Sequence, residues 1–245
     1  MTYVNPRLRG KGNNYSGPWP LGSIPDSVLY GIGKQLVHRL AVGHADITGD
    51  DFGTIFANAV DGEHRESPLG IADVVSEGTA WTVKTVKAKR PRTQRKVRLI
   101  SGRNSPDYSL GISDPRKDPS ATGAAVLAIW NSRVNESLDH YNELRTVVFI
   151  RNMGEKVFCL FEQPTVLFPA EEYRWEFNKQ GNLEGYEKQK GAHSFTWQPH
   201  GSQFTIIKPV PGSARYFQID KNVPIVPEAH VMRIIQYQED WIKIG

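Results

Sequence analysis

One acid and one lysine, Asp73 and Lys84, are the residues of this chain whose types and spacing could do chemistry. Asp73 lies in the apolar run Gly-Ile-Ala-Asp-Val-Val at 70–75, and Lys84 in Trp-Thr-Val-Lys-Thr-Val at 81–86. A carboxylate in such surroundings costs several kcal/mol unless it is paired or metal-bound. Ser76–Gly78 reads as a turn, so the two runs predict a hairpin of short strands. Side chains two apart share a strand face, which groups Ile71, Asp73 and Val75 on one strand and Thr82, Lys84 and Val86 on the other. Tight pairing would let Asp73 and Lys84 meet on one surface. A carboxylate able to hold a hard cation, beside an ammonium, is what metal-assisted cleavage of a polyanion requires. The competing reading is a plain Asp73–Lys84 ion pair at the end of a hairpin.

The flanking charge favours a polyanion. From Lys84 to Arg98 there are eight basic residues (Lys84, Lys87, Lys89, Arg90, Arg92, Arg95, Lys96, Arg98) and no acid. Such density is the footprint of a phosphate-binding surface, although a solvated basic loop has the same composition. The formal net charge of +4 is too mild to decide between them.

The pattern resembles the PD-(D/E)XK nuclease superfamily, in which one strand carries Asp and the next carries an acid, any residue and Lys. The match here is Asp73 followed by Thr82-Val83-Lys84, with Ala72 before Asp73 instead of proline and Thr82 in place of the second acid. Within that superfamily the chain is most similar to type II restriction endonucleases. The resemblance implies that Asp73 holds Mg²⁺ together with water and the backbone carbonyl of Val83. It implies that Lys84 orients or activates the attacking water, and that Lys87 and the basic run (Lys89, Arg90, Arg92, Arg95) grip neighbouring phosphates. The missing acid would come from Glu77 or Glu66, with Glu63 a further alternative. Double-stranded DNA with a short, palindromic site, a homodimer, and a prokaryotic cytoplasmic setting are implied with it.

The elements that must position these residues follow from periodicity. Val28, Leu29, Ile32, Leu36, Val37 and Leu40 predict a helix from Pro25 to Gly43, with Gly31 and Gly33 as places where another backbone could come close. Thr48 and Asp51 predict a capping box opening a second helix, buried through Phe52, Ile55, Phe56 and Ala59. After the hairpin, Leu99–Tyr108 reads as a polar loop and Gly123–Leu138 as a helix. Arg145–Arg151 and Lys156–Glu162 read as strands, the first of them central. Further strands are expected at Tyr173–Asn178, Ser194–Gln198, Gln203–Lys208, Tyr216–Ile219 and Val231–Tyr237. The expected fold is α/β (α+β), a mixed central sheet flanked by helices with a β-rich C-terminal part, in one domain over 1–245. Residues 1–22, with Arg7, Arg9 and Lys11, read as an irregular basic arm. Residues 25–150 read as the catalytic core, and 151–245 as the part that would carry recognition and dimer elements.

Specificity would need side chains suited to base edges. Gln198, His200 and Gln203 surround a turn between two predicted strands, and Arg103–Asn104 and Arg151–Asn152 offer Arg/Asn pairs. Gln and Asn suit adenine and Arg suits guanine in the major groove, while a hydrogen-bonded turn is the ordinary explanation for each.

Other classes are excluded or weak. There is no phosphate-binding loop, nucleotide-binding glycine motif or nucleophile elbow, and the seven histidines lack metal-ligand spacing. The single Cys159 cannot form an internal disulfide and reads as a core thiol. The apolar fraction of 39% and charged fraction of 23% are ordinary for a soluble protein, and no apolar run approaches the roughly 18 residues of a membrane span. A non-catalytic nucleic-acid-binding protein and a structural β-rich interaction protein are the two other classes these features allow.

Overall fold

The structure is a computed structural model describing residues 17–65 and 71–244. The expected ligand Glu66 and the basic residues Arg7, Arg9 and Lys11 lie outside the described residues. The chain opens with helices α1 (Asp26–Ala41) and α2 (Gly49–Ala59), then strands β1 (Glu63–His64), β2 (Val74–Ser76), β3 (Thr79–Lys87) and β4 (Lys96–Arg103). Helices α3 (Pro106–Leu110) and α4 (Pro119–Leu138) precede β5 (Glu143–Asn152) and β6 (Val157–Pro164). Strands β7 (Tyr173–Phe177), β8 (Leu183–Glu187), β9 (His193–Gln198), β10 (Gln203–Pro209) and β11 (Arg215–Gln218) lead to α5 (Glu228–Ile234). No helix among the described residues is long and apolar enough to cross a membrane.

Local chemistry explains most of these elements. Val28, Leu29, Ile32 and Leu36 form the buried stripe of α1. Thr48 and Asp51 exchange the reciprocal bonds of a capping box at the start of α2. Gly31 is where the two helices touch, since a Cβ there would meet the Ala59 Cβ at 3.2 Å. In the β2–β3 hairpin, Glu77 and Gly78 have φ of 48° and 77°. Two left-handed central residues make a two-residue primed turn whose twist matches the strands.

The strands form two sheets. The first is mixed, with order β1-β2-β3-β5-β6-β11, and its centre is the parallel pair of β3 and β5, Thr79↔Glu143 through Lys87↔Arg151. The second is antiparallel, with order β4-β10-β9-β8-β7. Helices α1 and α2 cover one face of the first sheet through Phe52, Phe56, Trp81, Phe149 and Phe158, with Phe52 and Phe149 stacked at 4.3 Å. Helix α4 lies over Ala80 and Leu144 on the other face and packs its Val126, Leu127 and Trp130 against Phe195, Trp197 and Phe204 of the second sheet. Strand β4 meets the first sheet directly, Val97 and Leu99 against Val148, Ile150 and Phe161. The fold is therefore α+β, with strands concentrated toward the C-terminus.

Several expectations need correction. Leu99–Tyr108 is not a loop: its first half belongs to β4 and Pro106–Leu110 is a helical turn. In β4 the basic residues Lys96 and Arg98 point outward while Val97, Leu99 and Ser101 are buried, so the charge disguised an alternating strand. Val231–Tyr237 is not a strand. Helix α5 begins just after Pro227 there, with Glu228 in its first turn where the helix dipole favours an acid, and that local start outweighs the β-branched run. Strand β8 was not expected; only Leu183 and Gly185 of it face inward. The expected division at 150/151 is crossed in both directions, because β6 and β11 complete the first sheet and β4 begins the second.

Candidate active site

Strand β3 divides its side chains between two layers. Trp81 and Val83 join the helix-side core, while Thr82 and Lys84 face the space between the two sheets. Asp73 precedes the paired residues of β2 and is bracketed by β3: its N–H donates to the Trp81 carbonyl at 2.9 Å, and its Oδ2 accepts from the Val83 N–H at 2.8 Å. The carboxylate thus occupies the position a further β2 residue would take in the ladder. On an extended strand the N–H and C=O of one residue face the same neighbour, so the Val83 carbonyl also lies on the Asp73 side.

Lys84 is the other half of the pair. Burial pushes its ammonium below the ordinary lysine range, and the charge of Asp73 partly offsets this. The two groups feel one another across space, yet they make no contact ion pair within 4.0 Å, unlike Lys87–Asp46 at 3.1 Å and Arg145–Glu162 at 3.0 Å. The plain ion-pair reading therefore lacks its contact. Lys84 instead lines a narrow cleft with Thr82, Thr146, Gln163, Thr165 and Lys208, of about 20 Å³, which is room for about one water. Lys208 is likewise pushed down by burial, and its Nζ stands 5.1 Å from the centre of the Phe168 ring.

Thr82, which takes the place of the expected second acid, is buried, and its hydroxyl donates to the Ile71 carbonyl at 2.6 Å. It acts as a strut for the backbone two residues before Asp73. Glu77 is not beside Asp73. It sits at the exposed tip of the hairpin, four residues away, roughly 13 Å along an extended chain. Among the described residues no group of three or more His, Cys, Asp and Glu could hold a metal ion. The donor set left at Asp73 is one carboxylate and one carbonyl. That is no cage for Ca²⁺ or Zn²⁺, but it fits Mg²⁺, which takes one or two carboxylates and completes its shell with water and substrate phosphate.

No family model, curated protein or solved structure matches the chain.

The expected DNA-contacting residues separate into two groups. Lys89, Arg90, Arg92 and Arg95 are exposed along the connection from β3 to β4, Arg92 donating to Gln218 at 2.9 Å. Lys87 is exposed and paired with Asp46. At the β9–β10 turn, Gln198 and Gln203 are cross-strand partners, and Gln198 and His200 line an open cavity of about 520 Å³ with Asp114, Arg116 and Asn182. Arg103 is exposed nearby.

Asn104, Arg151 and Asn152 are committed to the fold. Asn104 is buried and donates to the Val126 carbonyl of α4 at 2.8 Å, so it ties the second sheet to the helix. Arg151 is buried, donating to Asp46 Oδ1 at 2.8 Å and to the Ile47 carbonyl at 2.7 Å. Burial opposes the charge on Asp46, but the bonds from Arg151, the Ile47 N–H and Lys87 hold its carboxyl down to about 2. Asn152 caps a turn, accepting from the Glu155 N–H at 3.0 Å and donating to the Lys89 carbonyl at 2.9 Å. Cys159 is a core thiol pushed up to about 11 by burial, and no nucleophile at neutral pH.

Thr146, Gln163 and Lys208 were not expected at the site. Thr82, Thr146 and Gln163 are in register across β3, β5 and β6, a polar row on an otherwise apolar face. A polar residue inside each of three apolar strands was the available signal; the pairing that aligns them was not.

Proposed function

We propose that the chain is a Mg²⁺-dependent, sequence-specific double-stranded DNA endonuclease of the type II restriction kind. The observation that carries this reading is the arrangement of Asp73 and Lys84. They interact through space without closing into a contact ion pair, which leaves room between them. A gap between a carboxylate and an ammonium suits a reacting phosphate.

In this reading Asp73 and the Val83 carbonyl hold the cation, oriented by the Val83 N–H bond to Oδ2. Bound there, Mg²⁺ would polarise the scissile phosphate and lower the pKa of a water. Lys84 faces the cleft between the sheets, where partial burial strengthens its attraction for charge that develops on the phosphate. With its pKa lowered, it is also better able to exchange a proton with the attacking water. The exposed residues from Lys87 to Arg95 neutralise phosphates beyond the cut. Gln198, His200, Gln203 and Arg103 at one end of the second sheet reach for base edges, and a palindromic site calls for two copies of the chain.

A single carboxylate also fits a second reading, a DNA-binding protein that does not cut. Digestion of plasmid and phage DNA with Mg²⁺, with and without EDTA, separates them. Discrete, EDTA-sensitive fragments are expected; a salt-dependent gel shift with intact DNA supports the second reading and defeats the first.

A further inference from the structure

Strand β1 places a residue beside Asp73 that the motif does not include. The β1–β2 register is Glu63↔Val75 and His64↔Val74, and just past it the Arg65 N–H donates to the Asp73 carbonyl at 2.8 Å. Arg65 is therefore a backbone neighbour of Asp73, and it shares the strand face of Glu63, which lies across from Val75 on the α4 side. The guanidinium confirms which face. Its NH1 donates to the Tyr141 hydroxyl at 3.2 Å, and Tyr141 packs on the edge of the α4 cluster, in the layer that Lys84 faces.

The other end of the guanidinium pairs with Glu63 at 2.5 Å. That pair is open to water, the side chains being 45% and 64% exposed. Ion pairs so exposed contribute little, so an incoming anion displaces Glu63 at small cost. Arginine also binds phosphate through two parallel N–H bonds, a geometry lysine cannot offer.

We propose that Arg65 is a catalytic residue of this site, binding the non-bridging oxygens of the scissile phosphate on the side of Asp73 away from Lys84. Glu63 and Tyr141 hold the guanidinium in place until DNA arrives. This rests on the nuclease reading, and it supplies the second cation that a one-carboxylate site with one lysine otherwise lacks.

Single-turnover cleavage of supercoiled plasmid, with duplex affinity measured in parallel, tests the assignment. Arg65→Ala should cut about 100-fold more slowly, as for loss of one transition-state donor, with DNA affinity within about fivefold. Arg65→Lys should recover part of that rate. Wild-type rates in Arg65→Ala overturn the assignment. If Arg65→Ala loses its folded circular dichroism, Arg65→Gln gives the same comparison. A wild-type chain that cuts no DNA defeats the nuclease reading itself, and the role of Arg65 with it.

Discussion

Lys84 is held against its own preference, and that has consequences for both stability and activity. Burial lowers its pKa, so between that lowered value and the ordinary 10.5 the unfolded chain binds more protons than the folded one. Stability must then rise with pH through that window, and below it the folded state carries the full cost of a buried ammonium. Lys84→Met, similar in length and uncharged, should raise the melting temperature at pH 7. Its advantage over wild type should shrink as the pH approaches 10.5. The same variant should keep DNA affinity and lose cleavage by at least about 100-fold, the usual loss when a preorganised charge is removed. Melting curves at several pH values beside a plasmid assay check both halves. A Lys84→Met protein that is less stable, or that still cuts, would take Lys84 out of the site. Asp73 and Lys84 stand out in the sequence because an isolated charge in an apolar strand has few cheap explanations. Thr146 and Gln163 could not, because a lone Thr or Gln in a strand is commonplace until the register aligns them.

At the scale of the element, the β2–β3 hairpin sets the distance between Asp73 and Lys84. A one-residue slip would turn one of them to the other face. The turn that fixes this register uses Glu77 at φ 48° and Gly78 at φ 77°. A Cβ on Gly78 would also come within 2.9 Å of Asn142 Nδ2. Gly78→Ala should therefore destabilise the fold by about 1–2 kcal/mol, the cost of a left-handed non-glycine residue, and should slow cleavage as well. Glu77→Asn should do the opposite, since Asn favours this turn, and it should leave cleavage intact because Glu77 is far from Asp73. Urea titration and the plasmid assay measure both; loss of cutting in Glu77→Asn would return Glu77 to the list of metal ligands. Elements were legible where one rule dominated, as in the capping box of Thr48 and Asp51 or the apolar run of β5. They were misread where two rules conflicted. The outward Lys96 and Arg98 hid β4, and the β-branched run at Val231 hid a helix that begins after Pro227.

For the whole molecule, a buried polar network sets the arrangement of the first sheet. Glu162 on β6 accepts from Arg145 on β5 at 3.0 Å, from Trp81 Nε1 on β3 at 3.2 Å, and from Trp19 Nε1 and the Gly22 N–H at 2.8 and 2.9 Å. Arg145 in turn donates to the Trp19 carbonyl at 2.7 Å and to Glu143 at 2.9 Å. Neither charge of the Arg145–Glu162 pair is exposed at all. Long-range pairings of this kind, joining residues 19, 81, 145 and 162, leave no local pattern, which is why the tertiary core was the least legible part of the chain. Removing Glu162 leaves the buried Arg145 only the part-exposed Glu143 as a carboxylate partner. Glu162→Gln should therefore cost about 3 kcal/mol, while replacing Arg145 and Glu162 together by apolar residues of similar size should cost less. A double-mutant cycle with Arg145→Met and Glu162→Leu, read by urea melts, checks this; a double-variant loss equal to the sum of the two single losses would mean the pair is not coupled.

The distribution of charge over both sheets leads to a last expectation. The basic run leaves the first sheet at Lys87, crosses exposed through Lys89, Arg90, Arg92 and Arg95, and enters the second sheet at Lys96 and Arg98. It therefore forms a bridge between the sheet that carries Lys84 and the sheet that carries Gln198 and Gln203. A duplex held by this bridge releases about 0.9 counterion for each phosphate neutralised. Replacing Arg90, Arg92 and Arg95 by Ala together should lower the slope of log affinity against log salt by about 2–3. Each lost contact weakens binding to all sequences alike, because phosphate contacts carry no base information. The cutting rate of the bound complex should stay near wild type, since these side chains lie outside the Asp73–Lys84 gap. Fluorescence anisotropy over a range of salt concentrations, followed by single-turnover cleavage at saturating protein, separates the two effects. An unchanged salt slope would show that DNA does not lie along this connection, and the route from the cleft to the β9–β10 turn would have to run over another face.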